Sequence, residues 1–364
     1  MKTLKIFLLV IALVLSIVPL AACNDPASST DDTTTAADVT TAGNTEENTD
    51  VTTTTGNVGN ADPSTCTHSY ETVSYTRAFA LKEGSKTEKC SACGSEKSEV
   101  LPATKSLKML VLGNSFTIDP TWHLWGICND AGIEEIVIGS LFIGSCVLDQ
   151  HWDYITMDLS NCAYYKNTTG EWVQTYNYTV ERALQDEEWD VIAIGHSSSV
   201  GGLPETYTNL NNIVEFMKQF RPDATFFFQS PWAFQQDSTR ASFANYDWDQ
   251  MKMYRMITDT VEELAGKNEY FYDTIPSGTA IQNLRTSYVG DTLTRDGYHM
   301  SYGLGRYTIA LAWYSIITGG SIENITWVPA KYPEVADYMT VVKESVNNAL
   351  NNRLQITQSA YPTK

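Results

Sequence analysis

The sequence runs to 364 residues, 43% of them hydrophobic, with a formal net charge of −19. That length accommodates one substantial globular domain with room for smaller units. The acidic balance argues against a nucleic-acid partner, which would want clustered Lys and Arg for its phosphates.

Residues 1–22 read as a signal peptide. Lys2 and Lys5 precede an apolar run at 6–20, and Leu20-Ala21-Ala22-Cys23 closes it. The ending resembles a bacterial lipobox, which implies cleavage before Cys23 and lipidation of its thiol. Acyl chains there would hold the protein at the outer face of a membrane, each buried CH₂ contributing about 0.8 kcal/mol. The alternatives are a conventional signal peptide cut nearby or an uncleaved anchor. Residues 23–65 read as a disordered tether rich in Thr, Asp and Asn. It carries eight acidic residues and no basic one, and has too little apolar surface to offset its ordering entropy. As a flexible coil of about 40 residues it would span roughly 35 Å.

Residues 66–105 form a small β-rich module. Cys66-Thr67-His68 opens it, and Cys90-Ser91-Ala92-Cys93-Gly94 supplies a knuckle. A segment this short cannot build a sufficient core and needs a staple. Cys66, His68, Cys90 and Cys93 fit a structural Cys₃His zinc site with all four positions filled. The arrangement is similar to short Cys/His repeats of bacterial surface proteins. A disulfide is the rival outside the cell, although it leaves one of the three Cys unpaired. A redox Cys-x-x-Cys is the third option, but it lacks its usual βαβ surroundings.

Residues 106–364 alternate strand and helix. A strand at 107–112 stops at Gly113, and Asn114 and Ser115 follow. Asp119-Pro120 reads as a helix start with Pro at the first helical position. Helix 122–131, strand 135–141, a hairpin at 164–178, helix 180–186, strand 190–194, helix 206–220 and strand 225–228 come next. Helix 250–265, strand 270–272, helix 303–317 and an amphipathic helix at 335–351 complete the chain. Such alternation predicts an α/β fold with a mostly parallel sheet and helices on both faces. The hairpin aromatics Tyr164, Tyr165, Trp172, Tyr176 and Tyr178 either line a sugar-binding rim or pack the hairpin onto the core. Cys128, Cys146 and Cys162 have no metal spacing and read as buried small hydrophobes.

Two places carry chemistry. Ser115 stands on a turn between a buried strand and a helix, where open α/β sheets place their sites. Far away, Asp296 precedes His299 by three residues. A carboxylate so placed can fix the imidazole tautomer and stabilise the imidazolium. Together they suggest a nucleophile near the start of the domain with its acid and base near the end.

On Gly113-Asn114-Ser115-Phe116, the glycine of Phe142-Ile143-Gly144-Ser145, and Asp296-x-x-His299, the sequence resembles the SGNH (GDSL-like) hydrolases over roughly 106–352. More narrowly it resembles a branch that begins Gly-Asn-Ser-Phe in place of Gly-Asp-Ser. The resemblance implies a three-layer α/β/α sandwich with Ser115, His299 and Asp296 as a triad. It also implies backbone N–H groups of Ser115 and Gly144 in an oxyanion hole. An Asn or Gln side chain is expected there after strand 190–194, but this chain has Gly195-His196-Ser197. His196 could donate from its ring instead, or Ser197 from its hydroxyl. Losing one oxyanion donor typically costs about 10²–10³ in turnover. Trp232, in a loop following strand 225–228, either offers a platform for a substrate ring or packs in the core, and Tyr298 is a further candidate substrate-binding residue.

These readings combine into an extracytoplasmic, membrane-tethered serine ester hydrolase that removes acetyl or another small acyl group from carbohydrate. The chemistry itself would need no cofactor. The alternative is a catalytically weak SGNH-fold surface lipoprotein that binds a glycan or another partner.

Overall fold

The computed structural model describes residues 62–362. The signal peptide, Cys23 and all but the last few residues of the tether lie outside the described residues. Among those described, no helix is long and apolar enough to cross a membrane.

The small module is a three-stranded antiparallel sheet, β1 (Tyr70–Thr76), β2 (Gly84–Cys90) and β3 (Glu96–Leu101), in that order. β1 and β3 are exposed along nearly their whole length. The connection between β1 and β2 docks the module instead. Phe79 is buried there, its ring edge-on to Tyr272 at 5.1 Å. Leu81 N–H donates to the Thr318 carbonyl at 2.9 Å. Arg77 donates to the carbonyls of Asp223 and Asp190.

The large sheet has seven strands: β4 (Ser106–Gly113), β5 (Glu135–Phe142), β6 (Cys162–Asn167), β7 (Trp172–Tyr178), β8 (Val191–Gly195), β9 (Thr225–Gln229) and β10 (Phe271–Ile275). Their order is β10-β9-β8-β4-β5-β6-β7. The first five in that order run parallel, and the β6–β7 hairpin adds two antiparallel strands beyond β5. Consecutive residues of β4, Met109 to Leu112, have no exposed surface. Side chains alternate between faces along a strand, so both faces of the sheet are covered.

The cover comes from α1 (Ser115–Thr121), α2 (Leu124–Asp130), α3 (Leu148–Thr156), α4 (Val180–Asp186), α5 (Leu210–Phe220), α6 (Gln250–Val261), α7 (Ser277–Arg285), α8 (Leu304–Thr318) and α9 (Met339–Asn351). α8 packs against α1, α2, α7 and α9, whereas α5 packs against α3 and α4. The sequence pattern anticipates the parallel strands and the hairpin. It misses α7, because all nine of its residues are buried and no amphipathic stripe marks it.

The start of α1 is a correction. The helix begins at Ser115, capped by Asn114, and not at Asp119-Pro120. Pro120 lies inside it. A proline there cannot donate to the carbonyl four residues back. That carbonyl, of Phe116, accepts from Gln229 Nε2 at 2.9 Å instead.

Candidate active site

β4 lies between β5 on one side and β8 on the other, and the chain moves outward in both directions from it. The strand order therefore reverses at β4, and the crevice at the carboxyl ends of such strands is where open α/β sheets hold ligands. Ser115 follows β4, Gly144 follows β5 and Ser197 follows β8.

Ser115 and His299 are 184 positions apart, yet Ser115 Oγ lies 2.7 Å from His299 Nε2. His299 Nδ1 lies 2.7 Å from Asp296 Oδ2. With Nδ1–H donating to the carboxylate, Nε2 carries the lone pair and accepts from the Ser115 hydroxyl. Asp296 Oδ1 accepts from the backbone N–H of His299 at 2.8 Å and of Tyr298 at 3.2 Å. Burial pushes the Asp296 carboxyl up, but the hydrogen bonds from the His299 ring and backbone outweigh it. The group stays below the ordinary carboxylate range.

Two buried side chains hold this geometry. Asn114 accepts from Phe116 N–H at 2.9 Å and donates to the Cys146 carbonyl at 2.8 Å. It thus ties the serine turn to the loop that carries Gly144. An Asp here could not make the second bond, because an ionised carboxylate has no donor. Asp119, fully buried on α1, takes Arg295 at 3.1 Å, Arg306 at 2.7 Å and the N–H of Met300 at 2.9 Å. It fixes the backbone beside His299 to the helix that starts at Ser115. Sequence reading took Asp119 for a helix start. Its neighbour Pro120 gave that impression, and nothing nearby in the chain announced two arginines some 180 positions away.

A cavity of about 180 Å³ opens on the constellation, lined among others by Ser115, Gly144, Ser197, Arg240, Tyr298 and His299. Ser115 is the first residue of α1, so its N–H has no partner within the helix. Ile143 N–H donates to the Gly113 carbonyl at 3.2 Å, which seats the Gly144 loop against the end of β4. The guanidinium of Arg240 lies over the Tyr298 ring at 4.2 Å.

Two expectations fail. His196 does not reach the cavity. It is fully buried, its Nε2–H donates to Thr206 Oγ1 at 2.9 Å, and its ring packs edge-on to Tyr207. Burial drives its pKa down to about 3. Alternation along the chain leaving β8 sends residue 196 to the helix side and 197 to the cavity. Ser197 accepts from Ser199 N–H at 3.3 Å, which leaves its own proton free to donate. Trp232 is not an open platform either. It has no exposed surface, packs on Phe116 at 4.9 Å, and donates from Nε1 to the Tyr298 carbonyl at 2.6 Å. It supports Tyr298 from beneath.

The second cluster is in the small module. One ligand atom from each of Cys66, His68, Cys90 and Cys93 lies within 4.8 Å of all the others. The sulfurs of Cys66 and Cys90 are 3.8 Å apart, and Cys93 Sγ is 3.3 Å from His68 Nδ1. A tetrahedral zinc with Zn–S bonds of about 2.3 Å separates its sulfurs by about 3.8 Å. The donor set and spacing fit that ion. Cys128, Cys146 and Cys162 are buried in the large unit, as their isolation in sequence predicts.

The fold and this site define a class: a mostly parallel α/β protein that joins Ser, His and Asp at the carboxyl edge of its sheet. The chain belongs to the family described as "Domain of unknown function (DUF4886)", whose model matches residues 108–345. A crystal structure of a DUF4886 family protein from Bacteroides uniformis is 32% identical, covers 70% of this chain and 98% of its own, and superposes with a TM-score of 0.65. More distant likenesses are a candidate SGNH hydrolase from Slackia heliotrinireducens (15% identity, 59% of this chain and 100% of that one, TM-score 0.37) and a candidate GDSL-like lipase from Parabacteroides merdae (15%, 58% and 97%, 0.38). No match was found among curated proteins.

Proposed function

We propose that the protein is a serine ester hydrolase of the SGNH type that removes a small acyl group, such as acetyl, from carbohydrate. The observation that carries this reading is the unbroken series Ser115–His299–Asp296, with both links at 2.7 Å. Ser115 Oγ attacks the acyl carbon as its proton passes to His299 Nε2. Asp296 holds the ring and stabilises its positive charge. N–H groups of Ser115 and Gly144 and the hydroxyl of Ser197 bear the oxyanion. The ester C–O bond breaks, and the leaving alcohol takes the proton from His299. Water, deprotonated by the same ring, then attacks the acyl-serine and releases the acid. The cavity of about 180 Å³ favours a small acyl group.

The rest of the reading follows the sequence. A lipid on Cys23 tethers the protein at the outer face of a membrane, and zinc on Cys66, His68, Cys90 and Cys93 is structural.

The test is p-nitrophenyl acetate turnover by the full chain, beside Ser115→Ala and His299→Ala. The wild type is expected to exceed each variant by at least about 10⁴-fold. Equal rates in all three would overturn the assignment.

A further inference from the structure

A second, larger cavity of about 860 Å³ has an aromatic wall: Trp122, Trp125, Trp172, Tyr302, Trp327 and Tyr332. The two cavities share structural elements. Trp122 caps the end of α1, seven positions from Ser115, which is about 10 Å along a helix at 1.5 Å per residue. Tyr302 lies three residues beyond His299. Buried Asp119 on α1 pairs with Arg295 and Arg306 on either side of residues 299–302 and so ties these two segments together.

The wall is fixed in place. Trp172, on the edge hairpin, stacks on Trp122 with centroids 5.8 Å apart and planes at 20°. Asp130 accepts the backbone N–H groups of Thr326 at 2.8 Å and Trp327 at 3.0 Å. A Cβ on Gly126 would fall 2.3 Å from the Trp327 ring, so glycine lets that indole lie against α2.

The charges of the wall are spent internally. Arg306 sits between the rings of Trp122 and Tyr302, at 4.9 and 4.8 Å, with its charge taken by Asp119. His123 donates to the Tyr302 carbonyl at 2.7 Å, and burial lowers its pKa to about 4, so the ring is neutral near pH 7. Glu171 and Lys331 are exposed and of opposite sign. The cleft therefore offers flat π-faces, polar groups at its rim in Glu171 and Lys331, and no uncompensated charge at its floor. An anionic polymer would want free cations, and an acyl chain would want a closed apolar channel. A neutral pyranose chain has apolar C–H faces and polar edges, and it matches the wall on both counts. The volume also lies within the roughly 300–1,000 Å³ of clefts that hold small ligands.

We infer that this aromatic cleft binds the saccharide portion of the ester, a neutral oligosaccharide or polysaccharide, and presents its acyl group to Ser115. The ester part of this inference rests on the hydrolase reading above. The saccharide part does not.

The experiment uses the full chain and two readouts. In the first, the Ser115→Ala protein is titrated with neutral β-linked hexasaccharides of xylose, glucose, mannose and N-acetylglucosamine, by calorimetry and tryptophan fluorescence. At least one binds with a dissociation constant of about 1 mM or tighter. Adding Trp172→Ala weakens that binding about tenfold, and Trp172→Phe, which keeps a stacking face, restores most of it. In the second, kcat/KM on acetylated xylan falls at least tenfold more in Trp172→Ala than kcat/KM on p-nitrophenyl acetate. Failure of all four sugars to bind, or equal losses on both substrates, overturns the inference. Trp172-dependent sugar binding by a wild type that hydrolyses neither ester keeps the cleft and removes the hydrolase.

Discussion

The serine site and the Cys/His cluster each gather residues from separate parts of the chain, by opposite means. Ser115 and His299 meet across 184 positions because a buried sheet and helix layer bring them together. Their neighbours Asn114 and Asp119 are themselves fully buried and hydrogen-bonded. The four metal-type ligands lie within 28 residues of one another, on a sheet whose outer strands are almost wholly exposed. One geometry is enforced by a core and the other has no core to enforce it. The first should survive chemical change at its rim but not beneath it. The second should depend on whatever links its four side chains.

The largest expected effect is on the series itself. Asp296→Asn leaves the volume unchanged but removes the charge that holds the His299 tautomer, and turnover should fall about 10⁴-fold with the melting temperature nearly unchanged. Retained activity would show that the Ser115–His299 contact does not work through Asp296.

Next is the support beneath it. Asp119→Ala leaves the guanidinium of Arg306 buried without its partner and frees the N–H of Met300. Removing one member of a buried ion pair typically destabilises by about 3–5 kcal/mol. Chemical denaturation should register a loss of that order, with turnover falling alongside. A loss below about 1 kcal/mol would mean the core does not hold the site as described.

Smaller again is the effect expected at Ser197, the third donor proposed for the oxyanion. Ser197→Ala should lower kcat about 10²-fold while KM barely moves, because the hydroxyl matters most where charge develops. His196→Ala should act the other way, reducing stability by opening a hole against Thr206 and Tyr207. If the two variants exchanged these effects, the placement of 196 and 197 on opposite faces would be wrong.

The pair 196 and 197 also shows what the sequence could tell. The strand–helix alternation, the β6–β7 hairpin and the spacing Asp296-x-x-His299 are local patterns, and they were legible. So were Ser115 on its turn and the Cys/His ligand set. Which of two adjacent loop residues faces a cavity depends on where the strand stops, and Gly195 gives no hint of that. A loop after a strand end left Trp232 open between a substrate platform and core packing, and the packing under Phe116 that decides it is tertiary. Asp119 carried the signal of a helix cap, while its partners at 295 and 306 are set by tertiary folding alone. The aromatic cleft was visible only in part, through Trp172. Its other walls come from α1, α2 and the 326–332 segment, which meet only in three dimensions.

The smallest effect on the large sheet, and the sharpest test of the contrast, is metal removal. The purified full chain should contain about one zinc per molecule, and a chelator should strip it. The donor thiols must be deprotonated to hold the ion, and in small metal-stapled units binding energy is folding energy. Limited proteolysis should then cut within 66–101, where the strands have little buried surface to keep them paired. Residues near Phe79 should resist longest, because that ring stays packed against Tyr272. Turnover of p-nitrophenyl acetate should change less than about twofold, since the serine site draws its order from the other sheet. Unchanged protease resistance after complete zinc removal would mean that the small sheet holds itself. Absence of zinc together with two missing thiols in the denatured protein would replace the metal by a disulfide and leave His68 without its proposed role.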